Sequence, residues 1–150
     1  MYKRRLTVRG IILDGDTIFA QQLKKTIAKG DTWWCTPGGG VDDGENLITA
    51  LHREMVEETG VTPEIGDLLF VQQYTESESS EQLEFFFHIT NTADFRDIDL
   101  SKTTHGDIEI ANYGFVDPKE ADLLPAELQE LDLEKHIKEN LPVKLFTHLN

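Results

Sequence analysis

Glu54, Glu57 and Glu58 place three carboxylates at positions i, i+3 and i+4 of one segment. On an α-helix those positions are neighbours on one side, where like charges repel by about 0.2–0.5 kcal/mol per pair. A compensating positive charge is therefore expected. Hard divalent cations bind oxygen ligands, and Mg²⁺ takes only a few carboxylates while keeping waters and substrate phosphates. The plainer alternative is a solvated charged face, since Glu-rich helices are common.

The helix that must carry these groups can be drawn from its period of about 100° per residue. Leu47, Leu51 and Met55 form one apolar stripe with Ile48 at its edge. Glu58 falls inside that arc, and Glu54 and Glu57 lie along its flank. A solvated charged face points away from the apolar stripe. A carboxylate on the buried side is costly unless it is paired or bound to metal. Asn46 is suited to cap the helix start, Gly60 to end it in the left-handed conformation, and Pro63 to keep it from resuming. Ahead of the helix runs Pro37-Gly38-Gly39-Gly40. Such a run allows close approach to the main chain. A glycine-rich turn opposite carboxylates suits a pyrophosphate held between backbone and metal, with Gly39 and Gly40 as the groups that would face it. Taken alone, the run is more often only a turn.

The segment Gly39 to Val61 resembles a complete Nudix box: Gly, five residues, Glu, seven residues, Arg-Glu, an apolar residue, any residue, Glu-Glu, any residue, Gly, an aliphatic residue. Gly39, Glu45, Arg53, Glu54, Met55, Glu57, Glu58, Gly60 and Val61 fill every defined position, Met55 being the loosest fit. The preceding Trp34-Cys35-Thr36-Pro37-Gly38 also resembles the usual approach to that box, which makes Trp34 a substrate-contact candidate. The resemblance implies an α/β/α sandwich around a central mixed β-sheet. It implies hydrolysis of a nucleoside diphosphate linked to another moiety, with Mg²⁺ or Mn²⁺. It also implies that Glu54, Glu57 and Glu58 bind the metal together with the backbone carbonyl of Gly38. A metal so held acts as a Lewis acid on phosphoryl oxygens and lowers the pKa of a bound water.

Arg53 lies four residues before Glu57, within ion-pairing reach on a helix. Glu45 can close onto Arg53 and pin the preceding loop. Contact of Arg53 with phosphate is the alternative, but support of the carboxylates is preferred, because such partners orient metal ligands. For the general base, family members use a box glutamate or one from a later loop. The later candidate is Glu109, ahead of an aromatic strand, with Asp107 and His105 as runners-up and a solvated loop position as the plain reading of each. Trp33, Trp34, Tyr74 and Phe87 can stack on a nucleobase or pack in the core.

At 150 residues with one cysteine and a net charge of −14, the chain suits one domain (residues 1–150) without an internal disulfide. Cys35 points to a reducing compartment. No apolar stretch follows the basic residues at the N-terminus, and no membrane span is visible; a cytoplasmic protein is expected. The acidic balance argues against long nucleic acid as a partner. A small nucleoside diphosphate derivative still fits, because bound metal inverts the local potential. Half of the basic residues fall between Lys3 and Lys29; most are expected to be solubilising, one or two to reach phosphate.

Hydrophobic alternation predicts strands over Lys3 to Leu13, Thr17 to Leu23, Trp33 to Thr36, Glu64 to Tyr74, Leu83 to Ile89 and Ile108 to Val116. On the first strand Leu6, Val8, Gly10 and Ile12 are expected to share a face. Asp14-Gly15-Asp16 signals a hairpin turn. Thr75 to Glu81 reads as a polar hairpin loop and Asn91 to Asp107 as a long loop. Pro118 to Asp122 reads as a helical turn and Ala126 to Glu139 as an amphipathic helix, in a C-terminal segment that covers the sheet or meets a partner. The family resemblance allows a homodimer.

Markers that accompany ADP-sugar, diadenosine polyphosphate and coenzyme A hydrolases of this family are absent around Thr75 to Glu78 and upstream of the box. The short chain then resembles the MutT type, which cleaves nucleoside triphosphates to monophosphate and pyrophosphate. Nucleotide sugars remain an alternative. A non-catalytic ligand-sensing or interaction module is disfavoured because every box carboxylate is present. An RNA-end pyrophosphohydrolase is disfavoured by the acidic charge, and a diphosphate isomerase is a remote option.

Overall fold

A computed structural model of the protein describes residues 1–149. Strand β1 (Lys3–Ile11) has two partners. It runs parallel to β7 (Ser80–Ile89) and antiparallel to β5 (Gly38–Gly40). With β6 (Ile65–Ser77) and β10 (Lys144–His148) they form a mixed sheet in the order β10-β6-β7-β1-β5. A second sheet runs β2 (Leu13–Asp14), β3 (Thr17–Leu23), β4 (Trp34–Cys35), β9 (Leu123–Leu124), with β8 (Ile110–Val116) on the other side of β3. Short helix α1 (Lys24–Ala28) follows β3 directly.

The two sides of β1 serve two cores. Val8 and neighbouring Ile12 pack with Phe19, Phe87 and Ile89 beneath α2 (Leu47–Thr59), meeting Ala50, Leu51 and Met55 of its apolar stripe. Ile11 faces the other way, with Ile18, Phe70 and Phe86, under Leu128 of α4 (Glu127–Glu130) and Leu133 of α5 (Leu133–Lys138). Helices thus cover both faces, in the mixed α/β arrangement expected. Leu51 and Met55 are fully buried, each contributing about 1.5–3 kcal/mol by leaving water.

The ends of α2 are those read from the sequence. Asn46 accepts from the Thr49 N–H at 2.8 Å, and Gly60 sits at φ 73°. Elsewhere the structure corrects the expectations. The first strand breaks at Ile12, and Leu13–Asp14 pairs across a Gly15-Asp16 turn with β3. The glycine run is a strand, not a turn. Thr75 to Glu81 continues the β6–β7 ladder to Ser77↔Ser80. Its polar side chains pair with one another, Gln73 donating to Glu81 at 2.6 Å and Gln82 to Glu76 at 3.0 Å, so the strands extend without apolar alternation. The loop from Asn91 contains two 3₁₀ turns and α3 (Gly106–Glu109), so β8 begins at Ile110. The helix expected over Ala126 to Glu139 is two, because Asp132 accepts from the Lys135 N–H and starts α5 afresh. The segment from Lys144 joins the sheet edge against β6. Among the described residues, no helix is long and apolar enough to cross a membrane.

Candidate active site

The carboxylate face of α2 lies against β5, and glycine is required there for steric reasons. A β-carbon on Gly38, which has φ 141°, would collide with the Val8 carbonyl; one on Gly39 would lie 2.5 Å from the Glu54 carboxylate. Main chain and carboxylate are thereby brought closer than any other residue permits.

Each glutamate has its own surroundings. Glu58 is 6% exposed. Its Oε2 accepts from Gln21 Nε2 at 2.8 Å and from the Gly38 N–H at 3.2 Å. Burial raises its pKa to about 7 and Glu54 adds to this, while Gln21, Arg9 and the Gly38 N–H partly offset it. Glu54 is also raised, by burial first, against the pull of Arg53. Glu57 Oε2 meets Arg53 Nη1 at 3.4 Å and His105 Nδ1 at 3.0 Å.

Arg53 organises this face. Its Nε and Nη2 donate to the two oxygens of Glu45 at 2.9 and 2.8 Å, a bidentate pair. Nη2 also donates to the Gly40 carbonyl at 3.1 Å, and Nη1 to Glu54 at 3.0 Å. Its hydrogen bond with Glu45 is the main reason its pKa lies above the ordinary arginine value. The same bond, with the Asp42 N–H, brings Glu45 down to about 2.

A cleft of about 480 Å³ opens on these groups. Glu54, Glu58, Gly38, Gly39, Gly40 and Glu109 line it, facing Arg5, Arg9, Lys24 and Lys25. Lys24 Nζ also donates to the Asp107 carbonyl at 2.8 Å, tying α1 to the segment that bears Glu109. Burial opposes the charge of Arg9, but nearby Cys35, Glu84 and Glu58 outweigh it and hold its pKa above the ordinary arginine value. Burial also pushes the Cys35 thiol up to about 11, so it is neutral at physiological pH and a poor nucleophile.

The donors on this face are carboxylates, the Gly38 carbonyl and the Gln21 side-chain oxygen, which has no partner among the described residues. This all-oxygen set fits a hard divalent cation. As placed, the carboxylates are turned toward Arg53, His105 and Gln21, and no ready-made cage of three acidic, imidazole or thiol groups occurs among the described residues. Mg²⁺ needs only one or two carboxylates together with phosphate and water.

The structure thus brings Gly38, Gly39, Gly40, Glu54, Glu58 and Glu109 into one cleft, with Glu57 beside them and Arg53 and Glu45 behind. Trp34 departs from this grouping. It packs against the second apolar core, because alternation along this short segment sends it inward. Its neighbour Trp33 instead lines an adjoining pocket with Tyr74, while Phe87 is buried under α2. Gln21 is a contributor that sequence reasoning passed over; Arg9 was expected only as one of the clustered basic residues, and His105 only as a runner-up for the general base, not as a partner of Glu57. The signal for Gln21 was an amide directly after the apolar Ile18-Phe19-Ala20; His105 carried none beyond its nearness to Glu109.

A NUDIX-domain profile matches residues 3–137 of the chain. A curated RNA pyrophosphohydrolase of Haemophilus ducreyi is 42% identical over 45 residues, 30% of this chain and 23% of that protein. The chain therefore spans less than a quarter of that relative's length. Among solved structures, the E. coli ORF135 protein superposes with a TM-score of 0.70 at 20% identity, over 94% of this chain and 96% of that one. A MutT NUDIX hydrolase from Burkholderia pseudomallei follows at 0.65 and 19%, over 85% and 97%. At these identities the structural likeness is one of fold.

Proposed function

Because the chain belongs to the NUDIX family, we propose that it is a pyrophosphohydrolase whose substrate is a nucleoside triphosphate, cleaved to the monophosphate and pyrophosphate. The observation that carries this reading is the cleft itself, with Glu54, Glu58 and Glu109 facing Arg5, Arg9, Lys24 and Lys25 across the Gly38–Gly40 strand. A chain with net charge −14 gathers four cations at one opening, and clustered cations attract phosphate.

Glu54, Glu57, Glu58 and the Gly38 carbonyl would hold Mg²⁺ or Mn²⁺. When bound, the metal supplies Lewis-acid polarisation of phosphoryl oxygens and a more acidic water. The chain's own residues do the rest. Lys24, Lys25 and Arg5 receive phosphate oxygens and stabilise the charge that gathers on the leaving phosphate. Water adds to one phosphorus, the bridging P–O bond breaks, and the water's proton passes to a carboxylate. Glu109 is the proposed acceptor, since it lines the cleft from α3. Arg53 fixes Glu54 and Glu57 in orientation, and Glu45 fixes Arg53. The adjoining pocket, with Trp33 and Tyr74, takes the base. A cytoplasmic setting accords with the single, unpaired Cys35.

The test is a panel of nucleoside triphosphates, nucleotide sugars and 5′-triphosphate RNA with Mg²⁺ or Mn²⁺, scored for phosphate and pyrophosphate, with Glu57→Gln as control. Pyrophosphate release from free triphosphates that the control lacks supports the reading. Selective turnover of sugar nucleotides or RNA ends would replace it.

A further inference from the structure

The pocket beside the cleft holds about 540 Å³ and shares Arg9 and Cys35 with it. Trp33 and Tyr74 supply flat surfaces; Gln72, Glu84 and Thr36 supply polar groups. Gln72 and Glu84 are cross-strand partners on β6 and β7. Gln72 Nε2 donates to Glu84 Oε1 at 2.6 Å, and Arg9 Nε donates to the other oxygen at 3.1 Å. Arg9 Nη1 in turn donates to the Thr36 and Gly38 carbonyls at 3.2 and 3.3 Å.

This chain of contacts removes a choice. A carboxylate accepts hydrogen bonds and cannot donate them. If the Gln72 amide flipped, its oxygen would stand against Glu84. Gln72 therefore keeps its NH₂ on Glu84 and offers its oxygen as a fixed acceptor. Gln72 is only 6% exposed, so a ligand that seals the pocket must satisfy that oxygen or leave it stranded. Glu127, which His148 Nε2 contacts, adds a second acceptor to the lining. Donors are also present: Nε and Nη1 of Arg9 are engaged, but its Nη2 and the Trp33 indole N–H are open among the described residues, and the hydroxyls of Tyr74 and Thr36 can serve either role; none of them replaces the Gln72 oxygen, which only accepts. The Thr36 hydroxyl, 1% exposed, has no partner among the described residues.

We infer that the Arg9–Glu84–Gln72 chain makes this pocket select 4-aminopyrimidine and 6-aminopurine bases, cytosine or adenine, over the counterparts with a keto oxygen at that position, uracil and hypoxanthine. The inference rests on the reading of this pocket as the base site. An amino group donates into Gln72 Oε1. A keto oxygen in its place sets acceptor against acceptor and leaves the buried amide oxygen unmatched. A buried group without its partner weakens binding by about tenfold or more.

Two matched pairs test it without any substitution. The protein is titrated with CMP against UMP and with AMP against IMP in the presence of Mg²⁺, following tryptophan fluorescence. In parallel kcat/KM is measured for CTP, UTP, ATP and ITP. The amino member of each pair is expected to bind about tenfold tighter or better. Glu84→Gln frees the Gln72 amide to turn either way and is expected to bring both ratios within about twofold. Equal binding within the wild-type pairs, tighter binding of the keto members, or no binding of any monophosphate overturns the inference. Amino selectivity in binding without triphosphate turnover would uphold it and refute the proposed hydrolysis instead.

Discussion

His105 is fastened to Glu57 twice. Its Nδ1 lies 3.0 Å from Glu57 Oε2, and its backbone N–H donates to the Glu57 carbonyl at 2.9 Å. The next residue, Gly106, passes so close to the Glu58 carbonyl that a β-carbon would collide with it. The α3 turn that bears Glu109 is thereby clamped to the end of α2. His105→Ala should lower kcat about fivefold to tenfold, the worth of one net hydrogen bond of about 1 kcal/mol, with little change in KM. His105→Asn should restore part of the loss. An unchanged kcat in the alanine variant would mean that the clamp does not position Glu109.

Glu58 should give the metal-free protein an inverted pH response. Its pKa is raised from 4.5 to about 7, so between those values the folded state holds a proton that the unfolded state releases. Stability then falls as pH rises through that window. Glu58→Gln should gain on the wild type by roughly 1–3 kcal/mol between pH 4.5 and pH 8, read from urea midpoints in chelator. Because a ligand must be deprotonated to bind, Mg²⁺ affinity should rise over the same range, and calorimetry at pH 6 and pH 8 checks this.

Glu45 should behave in the opposite sense. Arg53 and the Asp42 N–H lower it from 4.5 to about 2, so its contribution is present above pH 4.5 and is lost as pH falls toward 2. The stability gap between wild type and Glu45→Gln should close over that interval in acid titrations. At neutral pH, Arg53→Ala should reduce turnover by about tenfold or more without abolishing metal binding, since it orients ligands rather than serving as one. Complete loss of metal binding would contradict this role.

Gly38 and Gly39 should fail differently. Gly38→Ala meets the Val8 backbone and an unfavourable φ of 141°, so it should cost about 2–4 kcal/mol of stability. Gly39→Ala meets only the movable Glu54 side chain. It should fold with a near-native melting temperature while losing most activity. Thermal melts beside initial rates separate the two.

Legibility in the sequence followed the range of the forces involved. Helix α2 was readable to both ends because its stripe, its Asn46 cap and its Gly60 terminus are local. The carboxylate cluster was readable for the same reason. What escaped depended on distant partners. Gly38–Gly40 is a strand only because β1 accepts it, and β10 exists only against β6. The polar ends of β6 and β7 hold together through Gln73–Glu81 and Gln82–Glu76 contacts that no hydrophobic period announces. Gln21 reaches Glu58 from 37 positions away, so a site polar group looked like an ordinary strand residue.

The parallel pairing of β1 with β7 bears on how the protein is born. Arg4 meets Glu81 across 77 positions, and β5 hangs from the opposite edge of β1. Long-range parallel pairing is slow to form. On the ribosome, α2 emerges before β7 exists, with Leu51 and Met55 lacking the cover of Phe87 and Ile89. The nascent chain therefore carries the carboxylate-bearing helix α2 as an open, sticky segment until the hairpin that follows it has been made. Synthesis slowed between Gly60 and Ile89 should lengthen that exposure and favour aggregation over folding.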